Sequence, residues 1–207
     1  MEKKAPSRAA TWERRRQILD AALRCFSDSG YEATTLGQIR ERSKSSTGSI
    51  YHLFASKEEI AGAVYLDGLR AYQQGFLAAL AERDGAEATV RACVEYYLSW
   101  VEANERLARF ILHTRHAELV PAVRTELRGM NRVFFGAIAA IIERHVAAGR
   151  IKPMPREVFH AIVMGPAHEY VRHWLAGRRR VPLLEASRLL AQSAWDAVRV
   201  SESRRRS

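Results

Sequence analysis

Residues 34–60, TTLGQIRERSKSSTGSIYHLFASKEEI, decide how this chain is read. Thr35 and Gln38 form a Thr-x-x-Gln capping box, which opens a short helix through Ile39 to Arg42. The polar run Ser43-Lys44-Ser45 interrupts that helix, and Ser46 is placed to cap a third short helix through Ile50 and Tyr51. Ser56-Lys57-Glu58-Glu59 is a second capping box, opening a longer helix with Ile60, Val64, Leu69 and Tyr72. Upstream, Thr11 is expected to cap a first helix with Ile18, Ala22, Cys25 and Phe26 on its apolar face. That helix ends at Gly30, where a C-terminus needs positive φ. Two short helices joined by a tight turn, behind a longer one, spell a helix-turn-helix.

The second helix of that unit is too polar to be a core element. Ser46, Thr47, Gly48, Ser49 and His52 leave only Ile50, Leu53 and Phe54 to anchor it. A helix this short persists only when its neighbours hold it, so its polar face is expected to point outward. Small hydroxyls and a glycine let a helix sit deep in a groove, and Lys44, Tyr51, His52 and Lys57 can donate to phosphates. The backbone N–H groups at the helix starts near Thr35 and Ser56 add neutral anion sites. Each residue also has a plainer reading: Thr35, Ser46 and Ser56 as caps alone, Tyr51 as a core residue with its hydroxyl at the rim.

Taken together, these residues resemble the DNA-binding domain of TetR-type (TetR/AcrR-like) one-component transcriptional regulators. The family pattern appears as Phe26 to Gly30, Thr34-Thr35 to Ile39, and Ser46 to Ile60, over about fifty residues. The resemblance implies that Thr35, Tyr51, His52 and Lys57 contact phosphates. It also implies that Ser45, Ser46, Thr47 and Ser49 face base edges, with Gly48 allowing close approach. Two features depart from the pattern. Ser43-Lys44-Ser45 stands where the family usually has Ala-Gly-Val, and Arg40 stands where it has Ala. A non-glycine residue in that turn must reach left-handed φ at some cost or turn differently.

The chain has 207 residues, a formal net charge of +10, 47% apolar and 27% charged residues. This is a globular composition, long enough to bury a sizeable core. The first sixty residues hold eleven Lys and Arg against eight Asp and Glu, so net charge alone is weak evidence for a nucleic-acid partner. Cys25 and Cys93 lie far apart and read as reduced, buried thiols. No apolar run approaches the ~18–20 residues of a membrane span, and the N-terminus lacks a signal-peptide core. A cytoplasmic protein with no membrane partner is the expectation.

Helical spacing continues to the C-terminus, with helices expected at roughly 86–103, 105–116, 122–149, 155–177 and 183–200, and no convincing strand. The fold class is therefore all-α with about nine helices. We expect flexible residues 1–10, a helix-turn-helix domain at 11–55, an effector-binding and dimerisation bundle at 56–200, and a basic tail at 201–207. Apolar stripes at Phe159, Ile162, Val163, Tyr170 and Trp174, and at Leu183, Leu184, Leu190, Ala194 and Val198, suit helix pairing. The resemblance implies that these two helices form a four-helix dimer interface. A dimer is also what two reading heads ~34–36 Å apart on a palindromic operator require.

An effector pocket would draw on Tyr96, Trp100, Phe110, His113, His116 and Phe134, although the same aromatics suit a plain core. The helix from Ser56 to about Leu80 is the candidate lever between the two parts. His168-Glu169-Tyr-Val-Arg-His173 resembles HExxH with one residue added. At about 100° per residue, five positions leave the two imidazoles roughly 140° apart, so no shared metal is expected. His113 and His116 have no third ligand. No catalytic set, metal or cofactor is expected. The reading is a ligand-responsive regulator of double-stranded DNA, most simply a repressor released by an unknown small molecule. The alternative is an all-helical carrier or enzyme with a merely structural N-terminal unit.

Overall fold

A computed structural model describes residues 7–113 and 116–201, with the side chains of 113–122 outside the description. Among the described residues there are nine helices: α1 (Arg8–Ser29), α2 (Leu36–Ser43), α3 (Thr47–Leu53), α4 (Lys57–Ala81), α5 (Ala86–Ala103), α6 (Glu105–His113), α7 (His116–Ala147), α8 (Arg156–Leu175) and α9 (Leu183–Val198). The extended chain contributes one isolated antiparallel bridge, Ile151 with Arg199.

Local chemistry explains most of the boundaries. α1 begins earlier than Thr11 suggests: Ser7 is the cap, its Oγ accepting the Ala10 N–H at 3.2 Å, and the Thr11 hydroxyl donates back to the Ser7 carbonyl. α1 ends at Gly30 with φ 82°, the positive dihedral that glycine tolerates best. Pro155 and Pro182 are the caps of α8 and α9, where a missing N–H costs nothing. Pro121, expected as a break, lies instead within α7 as its sixth residue. Of the tails, residues 1–6 and 202–207 lie outside the described residues.

Packing divides the chain into two compact units. The first runs to Arg70 and includes Arg106–Leu127. Its core joins Ile18, Ala22 and Phe26 of α1 to Ile39 of α2, Ile50 of α3, Ile60 and Val64 of α4, and Phe110 of α6. It therefore takes in side chains well beyond residue 55. Gly68 explains the close approach of α6 to α4, since a Cβ there would meet Leu107 Cδ1 at 2.8 Å. Phe110, expected in an effector pocket, stacks on Phe26 at 5.4 Å inside this core.

The second unit comprises Ala71–Glu105 and the chain from Arg128 onward. Here α5 is the central helix: Val90, Val94, Leu98 and Val101 are fully buried, and α8 and α9 pack against it and each other. This corrects part of the expected dimer face. Val163, Trp174, Leu183, Ala194 and Val198 are buried within the chain, because α5 occupies the side of α8 and α9 on which those stripes lie. Phe159, Ile162, Tyr170 and Leu190 are half-buried, and Leu184 is exposed. Tyr170 is further committed by its hydroxyl, which donates to the Val181 carbonyl at 2.6 Å.

Candidate nucleic-acid interface

The helix-turn-helix is built from reciprocal caps. Thr35 Oγ1 accepts the Gln38 N–H at 3.2 Å, while Gln38 Oε1 accepts the Thr35 N–H at 2.8 Å. Ile39, fully buried, pins α2 to the core. At the turn, Lys44 adopts φ 52°, ψ 31°, the only non-glycine positive φ among the described residues. That conformation lets the Lys44 and Ser45 N–H groups return to the Glu41 and Arg40 carbonyls, each at 3.2 Å. The turn thus keeps the left-handed geometry that glycine would supply, at the cost a lysine bears there.

Ser46 caps α3, its Oγ accepting the Ser49 N–H at 3.1 Å and meeting Ser49 Oγ at 2.8 Å. Ile50 and Phe54 are buried and hold the helix down. The remaining surface of α3 is turned to solvent: Ser46, Thr47, Gly48, Tyr51 and His52 are exposed and Ser49 is half-buried. Tyr51 is 57% exposed, an unusual position for a tyrosine with a core close at hand. Thr35 and Lys44 are exposed beside it. Neither α2 nor α3 has an acidic residue in its first turn, so no acid within those turns offsets the positive ends of their dipoles.

Three sequence expectations change. Ser45 does not face outward; it is 7% exposed and its Oγ is buried with no hydrogen-bond partner. The left-handed turn at Lys44 rotates the next side chain into the gap between α2 and α3. Lys57 is drawn inward: its Nζ donates to the Tyr31 and Glu32 carbonyls at 2.9 and 3.2 Å and lies over the Tyr31 ring. It ties the α1–α2 loop to α4 as a structural brace. The start of α4 is also poor at holding anions, because Glu58 and Glu59 occupy its first turn. The Ser56 hydroxyl accepts the Glu59 N–H, and the Glu59 carboxylate takes the Ala55 N–H at 2.6 Å.

Arg40 is a residue that sequence reasoning passed over as a mere departure. It is exposed on α2, with Nη1 3.4 Å from Thr47 Oγ1 at the start of α3. A charged residue just before a polar helix was the available signal. Around it the basic groups are partly tied: Arg42 pairs with Asp28 at 2.5 Å, which holds that carboxyl below its ordinary range.

A family profile described as "Bacterial regulatory proteins, tetR family" matches residues 18–64. Over that stretch, from α1 into α4, the chain is similar to the tetR family. Its relatives include the HTH-type transcriptional repressor AcnR of Corynebacterium diphtheriae, 28% identical over 71% of this chain and 73% of that protein. The A-factor receptor protein of Streptomyces griseus is 26% identical over 92% of this chain and 76% of its own length. A TetR family transcription regulator from Marinobacter aquaeolei VT8 shares the fold, with a TM-score of 0.75 at 20% identity, over 94% of this chain and all of that one. The helix-turn-helix thus lies in the part of the chain that resembles these regulators, and none of the described helices is long and apolar enough to cross a membrane.

The second unit holds the other expected site residues. Tyr96, Trp100 and Phe134 do come together, around Tyr72 and Phe76. Their side chains pack at ring separations of 4.9–6.3 Å. The side chains of His113 and His116 lie outside the described residues. His168 and His173 diverge: His168 meets the Tyr97 ring, whereas His173 pairs with Glu169 at 2.8 Å. Arg172 also grips Glu169 and holds its carboxyl down at about 2. A recess of about 750 Å³ opens at the start of α5, between Arg83, Glu87, Arg91, His145 and Trp195. Its arginines and acids neutralise one another, with Arg91 bound to Gln192 and near Glu87 and Glu95.

Proposed function

We propose that this protein is a homodimeric repressor that leaves a palindromic operator when a small molecule binds its second unit. The observation that carries the DNA-reading part is α3. It is a seven-residue helix held by Ile50 and Phe54, with Thr47, Gly48, Tyr51 and His52 presented to solvent. A helix this short does not form alone, so its polar surface is maintained by the rest of the fold. Ser46, Thr47 and Ser49 would read base edges, Gly48 would allow close approach, and Thr35, Lys44, Tyr51 and His52 would fix register on phosphates. Arg40 joins this set, while Ser45 and Lys57 support it from within.

One head reads too few base pairs for specificity, so two are needed. Val158, Phe159 and Ile162 of α8, with Leu184, Leu189 and Leu190 of α9, are apolar side chains left exposed or half-buried, and they form the proposed dimer face. Release by an effector requires a coupling of ~1–3 kcal/mol, which lowers operator affinity about 5–150-fold. α4 contributes residues to both units, so it is the element through which such coupling would pass. The repressor and receptor names of AcnR and the A-factor receptor protein support this reading. Selection of bound duplexes from a random pool tests it directly. Two half-sites about one helical turn apart are expected, and a pool with no enrichment refutes the DNA-reading surface.

A further inference from the structure

Six aromatic side chains of the second unit close into a ring. Tyr72 neighbours Tyr97 at 6.3 Å, Tyr97 neighbours His168 at 4.9 Å, and His168 neighbours His160 at 5.6 Å. The circuit continues through Phe135 at 6.0 Å and Phe134 at 5.2 Å, and returns to Tyr72 at 6.3 Å. Four helices contribute: α4, α5, α7 and α8. Each neighbouring pair lies within the ~4.5–7 Å at which aromatic rings attract one another.

The ring runs from water to core. His160, His168 and Phe135 are exposed, whereas Phe134 and Tyr97 are 6% and 5% exposed. At the buried end, Tyr97 Oη has no hydrogen-bond partner. Its neighbour Tyr96 does have one, donating to the Tyr72 carbonyl at 3.2 Å. A buried hydroxyl without a partner costs enough that it calls for an explanation. Its position at the inner end of a water-accessible aromatic ring supplies one: the missing acceptor comes with a ligand.

The four polar members of the ring are two phenols and two imidazoles, all able to donate, and no member carries a negative charge. Such a set suits a group rich in acceptors. A carboxylate offers two oxygens with about four acceptor sites, enough for Tyr97 Oη and both imidazoles. Although exposed, the imidazoles have enough protein around them that burial lowers their pKa, and His160 lowers that of His168 further. An anion between them removes that mutual repulsion.

We infer that this ring is a binding site for a small, flat aromatic carboxylate. The ligand's ring would lie among Tyr72, Phe134 and Phe135, and its carboxylate would accept from Tyr97 and the two histidines. The inference rests on the reading that the second unit receives an effector, and it names that effector's chemical class.

The test is calorimetric titration of the full chain with benzoate, 2-naphthoate and indole-3-carboxylate, each beside its amide. At least one acid should bind saturably, once per chain, and its amide at least tenfold more weakly. The histidine ring resonances of His160 and His168 should move with the acid. Tyr97→Phe and His168→Gln should each weaken the acid about tenfold or more, the usual loss for a hydrogen bond to a charged group. Phe135→Ala, at an exposed position, covers the case in which a buried substitution disturbs folding, and it should weaken acid and amide alike. The proposal is overturned if no acid in the set saturates, if amides bind as well as acids, or if Tyr97→Phe binds like the parent. Duplex binding measured on the same samples separates the two claims. No acid binding with intact duplex binding refutes this site alone, whereas acid binding that leaves duplex affinity unchanged supports the site and refutes release.

Discussion

Ser45 and Ser46 are adjacent and chemically identical, yet the structure assigns opposite signs to their replacement. Ser45 is buried and its Oγ has no partner, and a buried hydroxyl without a hydrogen bond costs about 1–3 kcal/mol in proteins. Ser45→Ala removes that hydroxyl and keeps the Cβ, so it should stabilise the first unit by about 1 kcal/mol, the lower end because neighbours relax. Ser46 Oγ caps α3 at Ser49 N–H, and losing such a cap costs about 1 kcal/mol. For a chain of this length, 1 kcal/mol moves Tm by about 2–4 °C. Ser45→Ala should therefore melt about 2–4 °C above the parent, and Ser46→Ala about as far below it. Circular dichroism at 222 nm measures both, and fluorescence anisotropy with a selected operator duplex adds a second readout. Ser45→Ala should bind duplex within twofold of the parent, because its side chain never reaches the surface, while Ser46→Ala should bind more weakly. A Ser45→Ala variant that melts below the parent would show that Oγ is satisfied in the folded protein, and the account of this turn would fail.

Further outcomes follow from the same geometry. Lys44→Gly should stabilise the turn by up to about 1 kcal/mol by relieving the left-handed φ of 52°, yet lower the slope of log affinity against log salt by about 1 per chain, read by anisotropy at several salt concentrations. Tyr51→Ala, at a 57% exposed position, should abolish operator binding with Tm unchanged within a degree or two, roughly the scatter of surface substitutions; Lys57→Met should do the reverse, lowering Tm because the Tyr31 and Glu32 carbonyls lose their donor. Stability should fall with acid: His160 and His168 have folded pKa values below the ordinary 6.5, so as pH drops through 6.5 the unfolded chain takes up protons that the folded chain refuses. Urea titrations from pH 7.5 to 5.5 should show that loss, and it should be smaller in His160→Gln/His168→Gln. Val158→Arg with Leu189→Arg places charge at two exposed apolar positions and should yield monomers in sedimentation, with operator affinity reduced by at least tenfold.

How much of this was legible beforehand depended on range. The caps at Thr35 and Ser46, the stop at Gly30 and the polarity of α3 could be read directly. Each is a contract between residues three or four apart, and hydrogen bonds of that reach depend on little else. The turn at 43–45 was half legible. A positive φ at Lys44 was a stated possibility, but that it would swing the Ser45 side chain inward depends on the gap between two packed helices. The dimer stripes were legible only in part, for a related reason. A helix packed against two neighbours is apolar on more than one side, and nothing along its own sequence says which side faces α5 and which faces outward. Trp174 and Leu183 went inward; Val158 and Leu189, unremarkable as sequence, did not.

Composition and local spacing alone determined that this chain is all-helical, that it carries a helix-turn-helix near its start, and that it resembles TetR-family regulators. Backbone conformation and capping are settled among near neighbours, and those neighbours are written side by side. Only the tertiary structure decided that Phe110 serves the core of the first unit, that Lys57 braces a loop, and that Tyr97, His160 and His168 meet. Residues 97 and 168 touch because α5 and α8 pack together, and side-chain contacts across that distance in sequence come from the summed burial of whole helix faces.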